Sequence, residues 1–162
     1  MPSPLTPAQA RDQIGAAGLR LTAPRIAILR AIAALPGHVT ADDVRIAAAE
    51  SLGSVSQQTV YDGLRTLAGA GLIRATDAPG HPARFEFRVG DNHHHFVCRS
   101  CGDIQDVDCI VGSAPCIEGT VGPGVLVDEA AVTYRGYCAA CTPSRSGRSD
   151  RPSELNRPSE EN

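Results

Sequence analysis

The sequence predicts an α+β fold in two parts, a helical half followed by a β-rich half. Three observations carry that prediction. Apolar residues recur at helical spacing through roughly the first 70 residues, the period then shifts to strand-like alternation, and two Cys-x-x-Cys hooks sit in the β-rich remainder. At 162 residues the chain is long enough to bury a core in one or two compact units.

Thr6-Pro7 is a helix start: a hydroxyl at the N-cap, Pro at the first helical position, and Gln9 three residues after Thr6. Gly18 ends that helix. A second is expected from near Thr22, with Ile26, Leu29, Ile32 and Ala33 on its inner face, and stops at Pro36-Gly37. Thr40 caps a third, helped by Asp42 and Asp43 in its electropositive first turn, with Val44, Ala47 and Ala48 facing inward. Ser56 opens a fourth, on which Val60, Leu64 and Leu67 repeat at i, i+4 and i+7 before Gly69 and Gly71. Residues 73–76 and 84–88 then alternate like strands around a turn at Asp77-Ala78-Pro79-Gly80. Helices closed by a β-hairpin are the plan of a winged helix-turn-helix unit, whose last helix lies in a DNA major groove.

Beyond the hairpin, Phe96 to Cys98, Ile104 to Val107, Val125 to Val127 and Ala131 to Tyr137 are the strand candidates. Residues 109–124 hold four Gly and two Pro, which limits any helix there to a short or irregular one. From Thr142 the composition turns to Ser, Arg, Pro, Glu and Asn, with Arg-Pro-Ser-Glu at 151–154 and again at 157–160, the signature of a disordered tail. The expected organisation is a DNA-binding unit over 1–90, a metal-binding unit over 91–141 and a tail over 142–162.

Net charge is −3, which by itself speaks against a nucleic-acid partner, but the charge is unevenly spread. Residues 1–78 carry seven Arg against six acids, whereas 79–141 carry four Arg against eight acids. Arg11, Arg20, Arg25 and Arg30 crowd the first stretch, and local charge is what meets a phosphate backbone. No signal peptide and no apolar run of bilayer length is present, so a cytoplasmic protein with no membrane partner is expected. In that compartment six cysteines point to metal or redox chemistry rather than to structural disulfides.

Cys98-x-x-Cys101 and Cys138-x-x-Cys141 are separated by 36 residues. Two such hooks bring four thiolates to one tetrahedral Zn(II), and Gly102 lets the chain turn tightly around the first. The alternative is a redox-active pair, which usually stands alone at a helix start in a thioredoxin-like setting; neither condition holds here. All four positions of such a zinc would be filled by protein, so its role is structural. Cys109 and Cys116 fall outside the pattern and read as small buried apolar residues or, alternatively, as a redox-sensitive pair.

His93-His94-His95 precedes the first hook. On a strand, His93 and His95 share one side and His94 takes the other. Glu86 on the preceding strand and Asp106 on the following one complete a mixed nitrogen and oxygen set suited to Fe(II), Mn(II) or Zn(II), chemically distinct from the all-sulfur site. The competing reading is a solvated polar turn.

Together these residues resemble the ferric uptake regulator (Fur) family over about residues 10–141. The resemblance rests on Gly18-Leu19-Arg20-Leu21-Thr22 with Arg25, His38-x-Thr40-Ala41-Asp42-Asp43, Thr59-Val60-Tyr61, Gly71-Leu72-Ile73 and the His-x-His…CxxCG…CxxC series. The run from Arg84 to Gly102, with Asp106-Val107-Asp108-Cys109 and Ala114-Pro115-Cys116, looks most like its actinobacterial FurA branch, whose regulators are linked to catalase-peroxidase genes.

The resemblance implies a homodimeric, metal-dependent repressor on a palindromic operator in double-stranded DNA, with a C-terminal α/β dimerisation domain. It implies structural Zn(II) on Cys98, Cys101, Cys138 and Cys141. It also implies regulatory Fe(II) or Mn(II) on His38, Glu86, His93, His95 and Asp106. Arg20, Gln58, Thr59, Tyr61 and Arg65 would meet DNA, Arg20 in the minor groove and the others from the fourth helix, where a merely solvated helical face is the plainer alternative. Three departures qualify the match. Asn92 and His94 stand where many relatives have ligands of a further inter-strand metal site. Asp62 replaces a common Arg. Glu86 replaces the Asp usual in peroxide sensors, and its longer side chain favours iron sensing, whereas the branch resemblance favours peroxide. A zinc or nickel sensor of the same family and, from a different class, a zinc-ribbon thiol oxidoreductase are the alternatives. No Ser/His/Asp or Cys/His arrangement and no phosphate-binding Gly loop suggests another enzyme.

Overall fold

The computed structural model describes residues 5–87, 93–108, 125 and 132–142. Side-chain caps fix where each helix begins. In α1 (Pro7–Ala16) the Thr6 hydroxyl accepts from the Gln9 N–H while the Gln9 side chain accepts from the Thr6 N–H, a closed capping box. Thr22 caps α2 (Ala23–Ala34) by accepting from Arg25 N–H. Thr40 and Asp43 form a second reciprocal box at α3 (Ala41–Leu52), and the Ser56 hydroxyl accepts from Thr59 N–H at α4 (Gln57–Gly69).

α2 packs against α1, α3 and α4. Ile14, Ile28, Leu29, Ile32, Val44, Val60, Leu64 and Leu67 are buried almost completely in one core. The inner face expected for α2 is accordingly too narrow. Ala27, Ile28 and Ala31 are buried with Leu29 and Ile32, while Ile26 and Ala33 are only half-buried. A helix with neighbours on three sides buries most of its circumference, and a single stripe underestimates it. On α3, Ala41, Val44 and Ala48 are buried and Ala47 only partly.

The hairpin pairs β1 (Arg74–Thr76) with β2 (Arg84–Glu86) antiparallel, Arg74 opposite Glu86 and Thr76 opposite Arg84. Phe85 points into the helical core. A lone antiparallel bridge joins Phe85 to Val39, with both backbone bonds made at 2.9 and 2.8 Å. The segment between α2 and α3 is thereby stitched to the free edge of the wing.

The second sheet has the order β4-β3-β5. β3 (His93–Cys98) pairs antiparallel with β4 (Ile104–Asp108) and parallel with β5 (Thr133–Gly136). β3 starts three residues before the expected Phe96, because His93, His94 and His95 find partners in Asp108, Val107 and Asp106. Of the strand candidate at 125–127 only Val125 is described, and it lies in no strand. The stretch 109–124, with Cys109 and Cys116, and the tail from 143 lie outside the described residues. A small second core of Ala78, Val97 and Ile104 joins the wing turn to this sheet.

Candidate metal centres and nucleic-acid face

The parallel register of β3 and β5 sets Cys98 opposite Gly136, so both hooks leave the sheet at the same end. Each hook closes by backbone bonds, Gly102 N–H to Cys98 O at 3.0 Å and Cys141 N–H to Cys138 O at 3.0 Å. The four Sγ atoms, all free thiols, lie within 4.8 Å of one another, with Cys101 and Cys138 at 3.7 Å. A tetrahedron with bonds of about 2.3 Å has edges of about 3.8 Å, so this spacing fits a zinc held by four thiolates. Cys138 N–H points at Cys98 Sγ from 3.4 Å and, with Cys101 N–H, lowers the Cys98 thiol to about 6. At Cys101 the N–H of Asp103 pulls downward, but Cys98 and burial outweigh it and push that thiol up to about 12. Four thiols this close favour a shared cation over four separate charges.

The second cluster depends on the Val39–Phe85 bridge, because the residues beside it, His38 and Glu86, are carried together. Glu86, 3% exposed, lies between imidazoles on both sides. Its Oε1 is 3.2 Å from His93 Nε2 and 3.0 Å from His95 Nε2, and its Oε2 is 3.4 Å from His38 Nε2. Asp106 Oδ1 lies 3.3 Å from His38 Nε2 and 4.0 Å from His93 Nε2. The ligand atoms of His38, Glu86, His95 and Asp106 are all within 4.8 Å of one another, and His93 meets this group through Glu86. His93 and His95 share one side of β3, as alternation requires.

His38 Nε2 is buried and close to two carboxylates, yet it meets neither in hydrogen-bond geometry. Atoms on the edges of a coordination shell with bonds of about 2.1 Å stand roughly 3.0–3.4 Å apart, which is the spacing seen here. The donor set therefore fits one divalent ion. Burial alone would raise the Glu86 carboxyl, but the imidazoles of His38, His95 and His93 gathered around it hold it well below the usual carboxylate range.

On α4, Gln58, Tyr61, Asp62 and Arg65 are exposed on the side away from Val60, Leu64 and Leu67. Gln58 Nε2 donates to Asp62 Oδ1 at 3.0 Å, and Arg65 Nη1 lies 3.9 Å from the same oxygen. Thr59 is instead occupied with Ser56, their hydroxyls 2.8 Å apart at the helix start. Arg20 is exposed just before α2, and its carbonyl accepts from Arg25 Nη1. Sequence reasoning had no signal for the Val39–Phe85 bridge or for the packing of His81 on Gly102, since both join residues far apart in sequence through backbone proximity.

Known proteins share this architecture. The Helicobacter pylori ferric uptake regulator Fur, a structure described as revealing three functional metal binding sites, superposes with a TM-score of 0.63 at 16% identity, over 90% of this chain and 100% of that one. The transcriptional regulator FurA of Mycobacterium bovis is 49% identical over 138 residues, 85% of this chain and 93% of the relative. The peroxide-responsive repressor PerR of Staphylococcus aureus is 34% identical over 56% of this chain and 60% of its own length. These relatives are transcriptional regulators and not enzymes, which leaves the thiol oxidoreductase alternative without support. The sequence model of the ferric uptake regulator family matches residues 16–110, and with the 49% identity to FurA it establishes that the chain belongs to that family.

Proposed function

We propose that the protein is a cytoplasmic, homodimeric repressor that binds a palindromic operator when Fe(II) or Mn(II) joins His38, Glu86, His93, His95 and Asp106. Cys98, Cys101, Cys138 and Cys141 hold a structural Zn(II) in this reading. The observation that carries it is the composition of the second cluster by origin. His38 and Glu86 belong to the helical and wing half, whereas His93, His95 and Asp106 belong to the second sheet. A bound divalent ion supplies charge to neutralise the two carboxylates and a fixed centre for the three imidazoles. The five side chains then hold the angle between the two halves and thereby the separation of the two α4 helices of a dimer. The affinity for DNA falls when these ligands are released, by the difference in binding energy between the two arrangements.

Two signals can release them, loss of the metal or oxidation of its ligands by peroxide. The relationship to FurA and PerR supports peroxide. Glu86 supports metal level, because both its oxygens face the cluster and leave less room for a peroxide. Fluorescence anisotropy on a promoter fragment, with Fe(II)-loaded and Mn(II)-loaded protein exposed to low peroxide, separates them. Release of DNA by the Fe(II) form alone, with oxygen added to His38 or His93 by mass spectrometry, establishes peroxide sensing. DNA retained by both forms through peroxide but released on chelation establishes metal-level sensing. DNA binding indifferent to metal overturns the proposal.

A further inference from the structure

The wing does not stand free of the second sheet. His81, in the turn between β1 and β2, donates its N–H to Ala78 O at 2.8 Å, which folds the wing tip back on itself. That tip rests on the first cysteine hook. A Cβ on Gly102 would fall 2.5 Å from His81 Cγ and 2.8 and 2.9 Å from its Cβ and Cδ2. Gly102 also has φ +70°, so two separate requirements exclude a side chain there. Beside this contact Ala78, 3% exposed, packs with Val97 and Ile104. A groove of about 360 Å³, bounded by Pro79 and Val97 among others, continues the seam.

We propose that His81 is a positioning residue through which the four-cysteine hook seats the DNA-binding wing. The ring lies against the bare Cα of the residue that follows Cys101, at the point where the backbone turns around the sulfurs. A hook held in shape by its ligated cysteines presents a firm surface to the ring. A hook whose cysteines are released changes its turn and loses the fit, because interiors packed this closely do not deform smoothly. The four-cysteine site therefore acts on DNA binding through the wing as well as by holding the second sheet together. The inference rests on the reading of those cysteines as a zinc site.

The test is amide hydrogen exchange across residues 77–82 of the full-length, metal-loaded protein, with DNA affinity measured alongside, for wild type, His81→Ala and His81→Phe. His81→Ala is expected to speed exchange of the wing turn and weaken DNA binding, each by about 5-fold or more, with zinc content unchanged. His81→Phe keeps a flat ring against Gly102 and is expected to restore both. Stripping zinc with a chelator should speed wing exchange in wild type and add little in His81→Ala. Wild-type wing exchange in His81→Ala, or an equal response to chelation in the two proteins, overturns the proposal. Absence of zinc from purified wild type would overturn the zinc reading instead, and the His81 contact would still be decided by exchange in the metal-free proteins.

Discussion

Glu86 presents one oxygen to two imidazoles and the other to a third, from a position that excludes water. Shortening it by one methylene withdraws the carboxylate by about 1.5 Å, so Glu86→Asp cannot keep both sets of contacts. The expected outcome is weaker Fe(II) binding and faster release of DNA under peroxide, read by titration and anisotropy; unchanged peroxide sensitivity would refute the argument from side-chain length. The depressed carboxyl also gives a pH signature in the metal-free protein. Its folded pKa lies below the ordinary 4.5, so its stabilisation is present above that value and is lost as pH falls below it. Glu86→Gln should cost about 1–3 kcal/mol at neutral pH, and the two denaturation curves should converge on acidification. Arg65 gains little from Asp62 at 3.9 Å in open solvent, so its guanidinium is available to a guanine edge. Arg65→Ala should weaken operator binding by about 1–3 kcal/mol and binding to random DNA much less. Equal losses on both would remove Arg65 from base recognition.

Helix α4 is held against α2 by a close approach at Gly63. A Cβ there would lie 2.5 Å from Ile28 Cδ1, and Ile28 has no exposed surface through which to retreat. Gly63→Ala gains about 1 kcal/mol in helix propensity but incurs an overpacking cost of about 1–3 kcal/mol, so a net loss of stability is expected. Ile28→Val removes the offending methyl. The double variant Gly63→Ala/Ile28→Val should therefore be more stable than the sum of the single changes predicts, by denaturant titration. Simple additivity would show that the two residues do not touch in solution.

The elements differ in how readable they were. Thr6, Thr22, Thr40 and Ser56 announce their helices because a cap is a contact within four residues of sequence. The burial of Ile28 depends on a third neighbour that α2's own pattern does not encode. The start of β3 at His93 depends on β4, since three histidines carry no strong strand preference of their own. The gathering of the two cysteine hooks was legible from spacing alone, and that of Glu86, His93, His95 and Asp106 from strand alternation. His38 was not legible from spacing and entered only through family resemblance, because the Val39–Phe85 bridge that delivers it joins positions 46 residues apart.

That bridge makes His38 the test of the molecule as a whole. His38 reaches across from the segment between α2 and α3 to Asp106 on the second sheet, while Glu86 reaches from β2 to His93 and His95. If these links set the angle between the halves, removing one from the helical side should leave both halves folded but weaken their coupling. His38→Ala should keep the helical core, which His38 does not enter, and should keep zinc on the four cysteines. Metal should still bind through Glu86 and the ligands of the second sheet, with lower affinity. What should disappear is the linkage: a metal-dependent gain in DNA affinity, commonly about 5- to 150-fold for such couplings, should shrink towards unity. By reciprocity operator DNA should no longer tighten metal binding, so the same loss must appear in metal titrations with and without DNA. A His38→Ala protein whose DNA affinity still rises fully with metal would place the switch elsewhere. The Glu86 links to His93 and His95 and the wing seat at His81 and Gly102 would then be left to carry it.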